Sequence, residues 1–217
     1  IEIGVNMNMA PVLDINTNPK NPIIGDRSFS SDPDVVSKLG ACVIKAFHEK
    51  GIIAVGKHFP GHGDTFSDSH LELPVVNHKK ERLEGIEFKP FINTFKTGLK
   101  AIMTAHVLYP ALDPDYPATM SEKIINEILR KKLGFNGVVI TDDMEMKAIS
   151  NNYSNETSAI QSIKAGVDIL LICHSHDKQI EMFNFISKAL ENGDIEEKRI
   201  EESLHRIARL KKDFIKI

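Results

Sequence analysis

The chain has 217 residues, of which 41% are hydrophobic and 26% charged, a composition typical of a globular domain with one sizeable core rather than of a disordered chain. Its 27 basic and 30 acidic residues give a net charge of −3, which argues against a nonspecific nucleic-acid binder because such proteins normally carry a basic excess. No apolar run approaches the roughly 20 residues that span a bilayer, so no membrane insertion is expected. Two cysteines, Cys42 and Cys173, exclude a disulfide scaffold and a cysteine-rich zinc module.

Apolar runs bounded by polar or turn residues predict five strands, and apolar residues at helical spacing predict the helices between them. The predicted strands cover residues 5–15, 52–55, 101–105, 138–141 and 169–173. The first predicted helix begins at a Ser31 or Asp32 cap and ends at Gly51. Further helices are predicted over about 80–97, from 121 to about 134, from about 156 to 166, and over about 177–190 and 195–215.

Strands that alternate with helices predict a parallel sheet, because parallel neighbours need crossovers of a dozen or more residues. Each predicted strand is followed by polar residues, namely Asp14, Lys57 with His58, His106, Asp142 and His174. Such a set at one edge favours a (β/α)8 TIM-type barrel over a doubly wound sheet, as does the lack of a glycine-rich phosphate fingerprint in the sequence. A barrel needs eight strands, so we expect an incomplete barrel of about the last five β/α units, with the first three strands missing.

Residues 57–65 read KHFPGHGDT and residues 68–70 read DSH, which concentrates histidines and aspartates in one loop. In one interpretation His70 is a general acid/base and the carboxylate of Asp68 stabilises its imidazolium, because imidazole titrates near neutrality. In the other, the cluster from His58 to His70, with His62, Asp64 and Asp68, supplies ligands to a divalent metal. The spacing matches no common metal motif, and both interpretations remain open at this point.

Asp142 and Asp143 follow the apolar run of the fourth predicted strand. A carboxylate at the carboxyl end of a barrel strand can act as a nucleophile, but aspartate also caps turns and helices. Alternation along the strand sends one of the two side chains inward without fixing which one. Arg27 presents a fork of donors suited to hydroxyls or carboxylates, and its alternative role is a surface ion pair with Asp26 or Asp32.

Five sequence segments together resemble the bacterial β-N-acetylglucosaminidases of glycoside hydrolase family 3. They are APVLD at 10–14, GDRSF at 25–29, the stretch 57–74, MTAH at 103–106 and TDDMEM at 141–146. They occur in the family's order over nearly the whole chain, and the stretch with DSH is specific to the N-acetylglucosaminidase branch. The resemblance implies a (β/α)8 barrel that removes terminal β-linked N-acetylglucosamine with retention of configuration. The implied substrates are peptidoglycan-derived or chitin-type oligosaccharides, and neither a metal nor an organic cofactor is implied.

The resemblance also implies roles for particular residues. Asp142 matches the nucleophile that forms a covalent glycosyl-enzyme, and His70 matches the acid/base, with Asp68 as its partner on a loop. Arg27, Lys57 and His58 match residues that hold the sugar hydroxyls, and Met146 matches a position that lines the pocket. His106 and Asp14, at the ends of two predicted strands, are further candidates for substrate binding.

The family has three strands before the APVLD strand, so we expect residues 1–217 to be the C-terminal portion of one catalytic barrel. The missing segment would lie upstream in the same protein or in a separate chain. The expected partner is a glycan containing N-acetylglucosamine and not a nucleic acid. The location, bacterial cytoplasm or cell envelope, stays open because a signal peptide would lie upstream. The alternatives are a metal-dependent barrel hydrolase, an N-acetylglucosamine phosphorylase and a noncatalytic sugar-binding relative.

Overall fold

Five parallel strands form one curled sheet in the computed structural model, which describes residues 3–215. The strands are β1 (Met7–Asn8), β2 (Ile53–Phe59), β3 (Ala101–Thr104), β4 (Val138–Asp143) and β5 (Ile169–Leu171), and they pair in chain order. In register, Val55 lies opposite Ala101, and Ala101 lies opposite Val138. This half-barrel confirms the prediction of a partial TIM-type barrel.

Helices connect and follow the strands. They are α1 (Pro33–Glu49), α2 (Lys80–Gly85), α3 (Lys89–Lys96), a π-helix (Lys123–Lys132), α4 (Lys147–Ser150), α5 (Asn155–Ala165), α6 (His176–Glu191) and α7 (Glu197–Phe214). Of the two predicted caps, Asp32 is the one that begins α1, because its carboxylate accepts the Asp34 N–H at 2.8 Å. Within residues 3–215, no helix is both long enough and apolar enough to cross a bilayer.

Several predicted bounds differ from the structure. The strand predicted over 52–55 extends to Phe59, so Lys57 and His58 lie within β2 and not after it. Proline accounts for two other differences. The strand predicted over 5–15 is reduced to β1 and a single later bridge between Val12 and Lys57, since Pro11 has no N–H to donate to a ladder. The helix predicted over 80–97 is divided into α2 and α3. Pro90 lies in the first turn of α3, where it needs no N–H partner, whereas in a continuous helix its ring would clash with the carbonyl of Ile86.

The two faces of the sheet pack against different partners, as alternation along each strand requires. The outward face meets the surrounding helices in a core that includes Phe59, Phe91 and Val139. The inward face carries Ile53, Val55, Ala101, Met103, Val138 and Ile140, and Leu210 of α7 packs against this set. Helix α7 therefore covers part of the concave side of the half-barrel.

Helix α7 is fixed at the amino ends of the strands by one buried carboxylate. Asp168, just before β5, accepts hydrogen bonds from Arg206 Nε at 3.0 Å and Ser203 Oγ at 2.6 Å in α7. Arg130 of the π-helix and Arg199 donate to the same carboxylate at 2.8 and 3.2 Å. With α7 held at this end, the carboxyl ends of the strands stay open, and that is where the polar residues gather.

The loop after β1 passes so close to the loop after β2 that only glycine fits between them. A Cβ at Gly63 would overlap the carbonyl oxygen of Ile15, a backbone atom that cannot rotate away. The two loops are also joined by Asn21, whose side-chain N–H₂ donates to the His62 carbonyl at 2.9 Å.

We therefore expect Gly63→Ala to destabilise the protein by about 1–3 kcal/mol, the usual cost of forcing extra volume into a packed site. Gly85→Ala is the control, since a Cβ at Gly85 meets no atom within 4 Å, and its effect should stay within about 1 kcal/mol. Denaturant unfolding of the natural full-length protein measures both. Equal midpoints for the two variants would show that the loops separate freely.

Candidate active site

A cavity of about 290 Å³ opens at the carboxyl end of β4. It is lined by His70, Asp142, Asp143, Glu145, Met146, Lys147 and His174. Its size lies near the lower end of the range for small-ligand sites, roughly 300–1,000 Å³. The cavity thus brings together two residues that are far apart in sequence, His70 and Asp142, in a space suited to one small ring.

Asp142 is the carboxylate in this cavity that remains free to react. Its side chain is 24% exposed, and one oxygen accepts the Asp143 N–H at 2.9 Å. Burial raises the pKa of Asp142, but His58, His106, the Asp143 N–H and Lys57 together outweigh burial, so the pKa lies below its usual value. Asp142 is therefore ionised at neutral pH and faces the cavity.

The neighbouring aspartate, Asp143, is bound to groups of the protein. Asp143 Oδ1 accepts the backbone N–H groups of Glu145 and Cys173 at 3.1 and 3.2 Å, which joins the end of β4 to the segment after β5. Its other oxygen lies 3.3 Å from His174 Nε2. Alternation could not distinguish the two aspartates, but they differ in how many hydrogen bonds they accept from the protein. Asp143 accepts two backbone N–H groups and stabilises the turn after β4.

His58 connects Asp142 to a second, fully buried carboxylate. Its Nδ1 lies 2.6 Å from Asp14 Oδ2, and its Nε2 lies 3.8 Å from Asp142 Oδ2. Asp14 also accepts the backbone N–H groups of His58 at 3.1 Å and of His62 at 2.6 Å. Burial raises the pKa of Asp14, but interactions with His58 and His62 lower it by more, so the pKa lies below its usual value. Asp14 therefore holds His58 in place from behind.

Lys57 lies close to Asp142, and Arg27 lies close to Lys57. The pKa of Lys57 is lowered, first by burial and then by the charge of Arg27, while Asp142 and Asp14 act in the opposite direction. Lys57 Nζ makes no hydrogen bond or ion pair with residues 3–215, and the ion pair of Arg27 with Asp26 or Asp32 considered from the sequence is not formed within them. Arg27 Nη1 donates to the Ile23 carbonyl at 3.2 Å. Lys57 Nζ and the remaining donors of Arg27 are thus free to bind a polar ligand.

His70 and Asp68 form the pair predicted from their spacing. His70 Nδ1 lies 2.8 Å from Asp68 Oδ1, which also accepts the His70 backbone N–H at 2.7 Å. The backbone carbonyl of Asp68 accepts from Leu71 at 2.9 Å, so a tight turn holds the two side chains together. The His70 side chain remains 60% exposed while it lines the cavity, and its Nε2 is left free.

The sequence profile of the glycosyl hydrolase family 3 N terminal domain matches residues 1–210. The chain belongs to this family. The resemblance predicted from the five segments is thereby confirmed.

Proteins of related sequence and structure carry the region that matches this family-3 chain within longer chains of their own. Beta-hexosaminidase A of Pseudoalteromonas piscicida is 39% identical over 227 residues, which cover 96% of this chain and 38% of that protein. The family-3 β-N-acetylglucosaminidase of Paenibacillus sp. str. FPU-7 superposes with a TM-score of 0.96 at 45% identity, over 97% of this chain and 40% of its own. Zinc-bound CbsA of Thermotoga neapolitana superposes with a TM-score of 0.90 at 40% identity, over 99% and 47%. The chain thus spans less than half the length of each.

Among the predicted substrate-binding residues, Met146 lines the cavity, whereas His106 and Asp14 lie beneath its surface. His106 is buried, with Nδ1 2.7 Å from Thr119 Oγ1 and Nε2 3.0 Å from the Asp143 carbonyl. Burial lowers the pKa of His106, so its ring is neutral at pH 7. Both ring nitrogens of His106 and the carboxylate of Asp14 are hydrogen-bonded within the protein. In this arrangement they hold neighbouring residues in place.

The histidine-rich loop of this family-3 domain does not gather its side chains around one point. His62 is buried between Thr65 and Ser69, with ring nitrogens 2.9 and 3.0 Å from their hydroxyls. Asp64 instead accepts from Thr17 Oγ1 at 2.9 Å and contacts His78. Within residues 3–215, no three His, Cys, Asp or Glu side chains converge in a way that could hold a metal ion.

Several residues of the site were not found from the sequence. Glu145 and Lys147 line the cavity, and Glu145 Oε2 accepts the backbone N–H groups of His174 at 2.6 Å and Ser175 at 3.1 Å. Glu145 lies within the TDDMEM segment and Lys147 directly follows it, but neither residue was given a role from the sequence. His174 was noticed only as the polar residue after β5. Ser69 is buried against His62 and carries no recognisable motif of its own.

The burial of His62 predicts that acid destabilises the fold. Burial, followed by repulsion from His58, lowers the pKa of His62 from 6.5 to about 4, although Asp14 and Asp142 act in the opposite direction. The unfolded chain therefore binds a proton at higher pH than the folded one, so the stability is complete above pH 6.5 and is lost as the pH falls toward 4. The shift corresponds to roughly 3 kcal/mol.

Denaturant unfolding at several pH values measures this loss. His62→Gln, which cannot titrate, should unfold with a shallower pH dependence across the window from pH 6.5 to 4. Parallel pH dependences for the two proteins would assign the acid sensitivity to other groups.

Proposed function

We propose that the protein is a retaining exo-β-N-acetylglucosaminidase that releases terminal β-linked N-acetylglucosamine from peptidoglycan-derived or chitin-type oligosaccharides. One observation carries the proposal: an ionised carboxylate, Asp142, and an imidazole paired with a carboxylate, His70 with Asp68, line the same cavity. A retaining glycosidase needs one group to attack the anomeric carbon and another to protonate the leaving oxygen. Membership of family 3 and the β-hexosaminidase name of a relative support the same activity.

In the first step, Asp142 attacks the anomeric carbon and the bond from that carbon to the leaving oxygen breaks. The leaving oxygen takes a proton from the imidazolium of His70, whose Nδ1 lies 2.8 Å from Asp68 Oδ1. In the second step, neutral His70 removes a proton from water as the oxygen of that water displaces Asp142. The sugar leaves with its original configuration, and both residues return to their starting states.

We assign the remaining predicted residues to two groups by whether their polar atoms are already hydrogen-bonded within the protein. Arg27, Lys57 and His58 bind the sugar hydroxyls, since Lys57 Nζ, His58 Nε2 and the Arg27 donors that do not bind the Ile23 carbonyl make no hydrogen bond within residues 3–215. Met146 forms an apolar wall of the cavity. Asp14 and His106, which the sequence suggested as direct ligands of the sugar, are proposed as positioning residues because both are buried and fully hydrogen-bonded.

Residues 1–217 are proposed to form the C-terminal portion of one family-3 catalytic barrel. The relatives named above carry the matching region within longer chains. That organisation favours completion of the barrel by other residues of the same protein over completion by a separate chain. Kinetic experiments are accordingly designed for the natural full-length protein.

The nucleophile assignment predicts the outcome of covalent labelling. A 2-fluoro derivative of the substrate sugar slows the second step more than the first and should leave a sugar attached to Asp142, detectable by mass spectrometry of the protein and its peptides. Asp142→Ala should abolish the label, because no other carboxylate in the cavity is free. Asp143→Asn is the matched control and should still be labelled. A label that persists on Asp142→Ala would remove Asp142 from this role.

The acid/base assignment predicts how the loss of His70 depends on the leaving group. His70→Gln should lower kcat/KM by roughly 10²–10⁴-fold for an oligosaccharide, whose leaving oxygen needs a proton, and much less for a dinitrophenyl glycoside. His205→Gln, an exposed position on α7, controls for effects on folding. Equal losses on both substrates would show that His70 is not the acid.

Three alternatives have distinct readouts. If phosphate as acceptor yields N-acetylglucosamine 1-phosphate faster than water yields the free sugar, the enzyme is a phosphorylase. A neutral acid/base would suit this reaction because it does not repel an anionic acceptor. If the protein binds stoichiometric zinc and chelation removes its activity, the metal-dependent hydrolase replaces our proposal. Tight binding of N-acetylglucosamine without turnover would indicate a sugar-binding protein.

A further inference from the structure

Among residues 66–73, which form the loop that carries His70, Ser69 is the one that makes hydrogen bonds to the rest of the half-barrel. The Ser69 hydroxyl lies 3.0 Å from His62 Nε2, and the Ser69 carbonyl accepts the Ala148 N–H at 3.2 Å. Ser69 is buried, although His70 beside it is exposed. The residue between the two members of the predicted acid/base pair is therefore held by its side chain on one side and by its backbone on the other.

The rest of this loop has little apolar anchorage. Phe66 and Leu71, which flank the Asp68–His70 pair, are 75% and 62% exposed. Segments with few buried apolar contacts open at low free-energy cost. The position of the loop over the cavity thus depends largely on the two hydrogen bonds of Ser69.

His62 provides a rigid support for Ser69. Its backbone N–H donates to Asp14 Oδ1 at 2.6 Å, its carbonyl accepts from Asn21 at 2.9 Å, and its Nδ1 lies 2.9 Å from Thr65 Oγ1. The ring is neutral at pH 7, because its pKa is lowered to about 4. A neutral imidazole offers one donor and one acceptor, which the hydroxyls of Thr65 and Ser69 can satisfy together.

The second support belongs to the segment that carries the proposed nucleophile. Ala148 lies in α4, six residues after Asp142, and Met146 of the same segment lines the cavity. The Ala148 N–H bond therefore joins the His70 loop to the continuation of β4. Through Ser69, the end of β2 and the start of α4 jointly determine how far His70 lies from Asp142.

We infer that Ser69 and His62 are positioning residues that hold the His70 loop over the cavity, so that His70 can protonate a leaving group on a sugar bound at Asp142. This inference rests on the proposed function. Neither residue touches the substrate in this scheme, and both act through His70. The loss of the Ser69 hydroxyl should therefore affect the proton-transfer role of His70 and leave the attack by Asp142 largely intact.

Hydrogen exchange tests the attachment without relying on any activity. In Ser69→Ala, the amides of Leu71 and Glu72, which both donate to the Asp68 carbonyl, should exchange roughly five- to tenfold faster, as expected from the loss of one hydrogen bond. Ser67→Ala, on the same loop, is the control and should leave them unchanged. Unchanged exchange in Ser69→Ala would overturn the inference, whether or not the protein is a glycosidase.

Kinetics test whether Ser69 acts through His70. Ser69→Ala should lower kcat for an oligosaccharide roughly five- to tenfold, with a much smaller effect on a dinitrophenyl glycoside and with covalent labelling of Asp142 retained. In a His70→Gln background the same substitution should cause no further loss. Equal losses on both substrates, or an additional loss in that background, would mean that Ser69 has a general structural role and would overturn the inference. If the wild-type protein turns over neither substrate, the proposed function fails, and the inference, which needs that turnover, fails with it. The hydrogen-exchange result then still tells whether Ser69 holds the loop.

Discussion

The site depends on the buried carboxylate of Asp14. A charge without solvent is costly unless hydrogen bonds compensate it, and here the compensation comes from the His58 ring and from the backbone N–H groups of His58 and His62. The same bonds orient His58 toward Asp142 and fix His62 beneath the loop of His70. One ion thus determines the geometry on both sides of the cavity, although it has no exposed surface of its own.

Asp14 and Asp142 illustrate how environment divides the work of identical side chains. Both have a lowered pKa, and in both the surrounding charges and hydrogen bonds, chiefly those of histidines, together outweigh the effect of burial. Both oxygens of Asp14 accept hydrogen bonds from the protein, so its charge has a structural role. Asp142 accepts only one backbone N–H, and its other oxygen, 3.8 Å from His58 Nε2, makes no hydrogen bond within residues 3–215. Its charge is held near Lys57 and His106, where it is available to a ligand.

The sequence predicted the order of strands and helices, because periodicity, caps and glycine stops are local signals. Prolines limited the accuracy of this prediction in two places, because Pro11 shortened the first strand and Pro90 divided a helix. The pairing of Asp68 with His70 could be predicted because a two-residue spacing fits a tight turn. Strand alternation could not distinguish Asp142 from Asp143, and only the family resemblance favoured Asp142, since the difference between them depends on bonds to the segment after β5. The contact between Ser69 and His62 likewise exists only in the folded chain.

The three-arginine cluster around Asp168 lies at the opposite end of the strands from the cavity. Its members join the π-helix, β5 and α7 through contacts that no ligand in the cavity could reach. One large stabilising cluster is therefore located away from the cavity, although buried groups beneath the cavity, such as Asp14 and His62, also contribute to stability. This arrangement favours evolvability, because residues at the rim of the cavity can change while the Asp168 cluster keeps the far end of the scaffold intact.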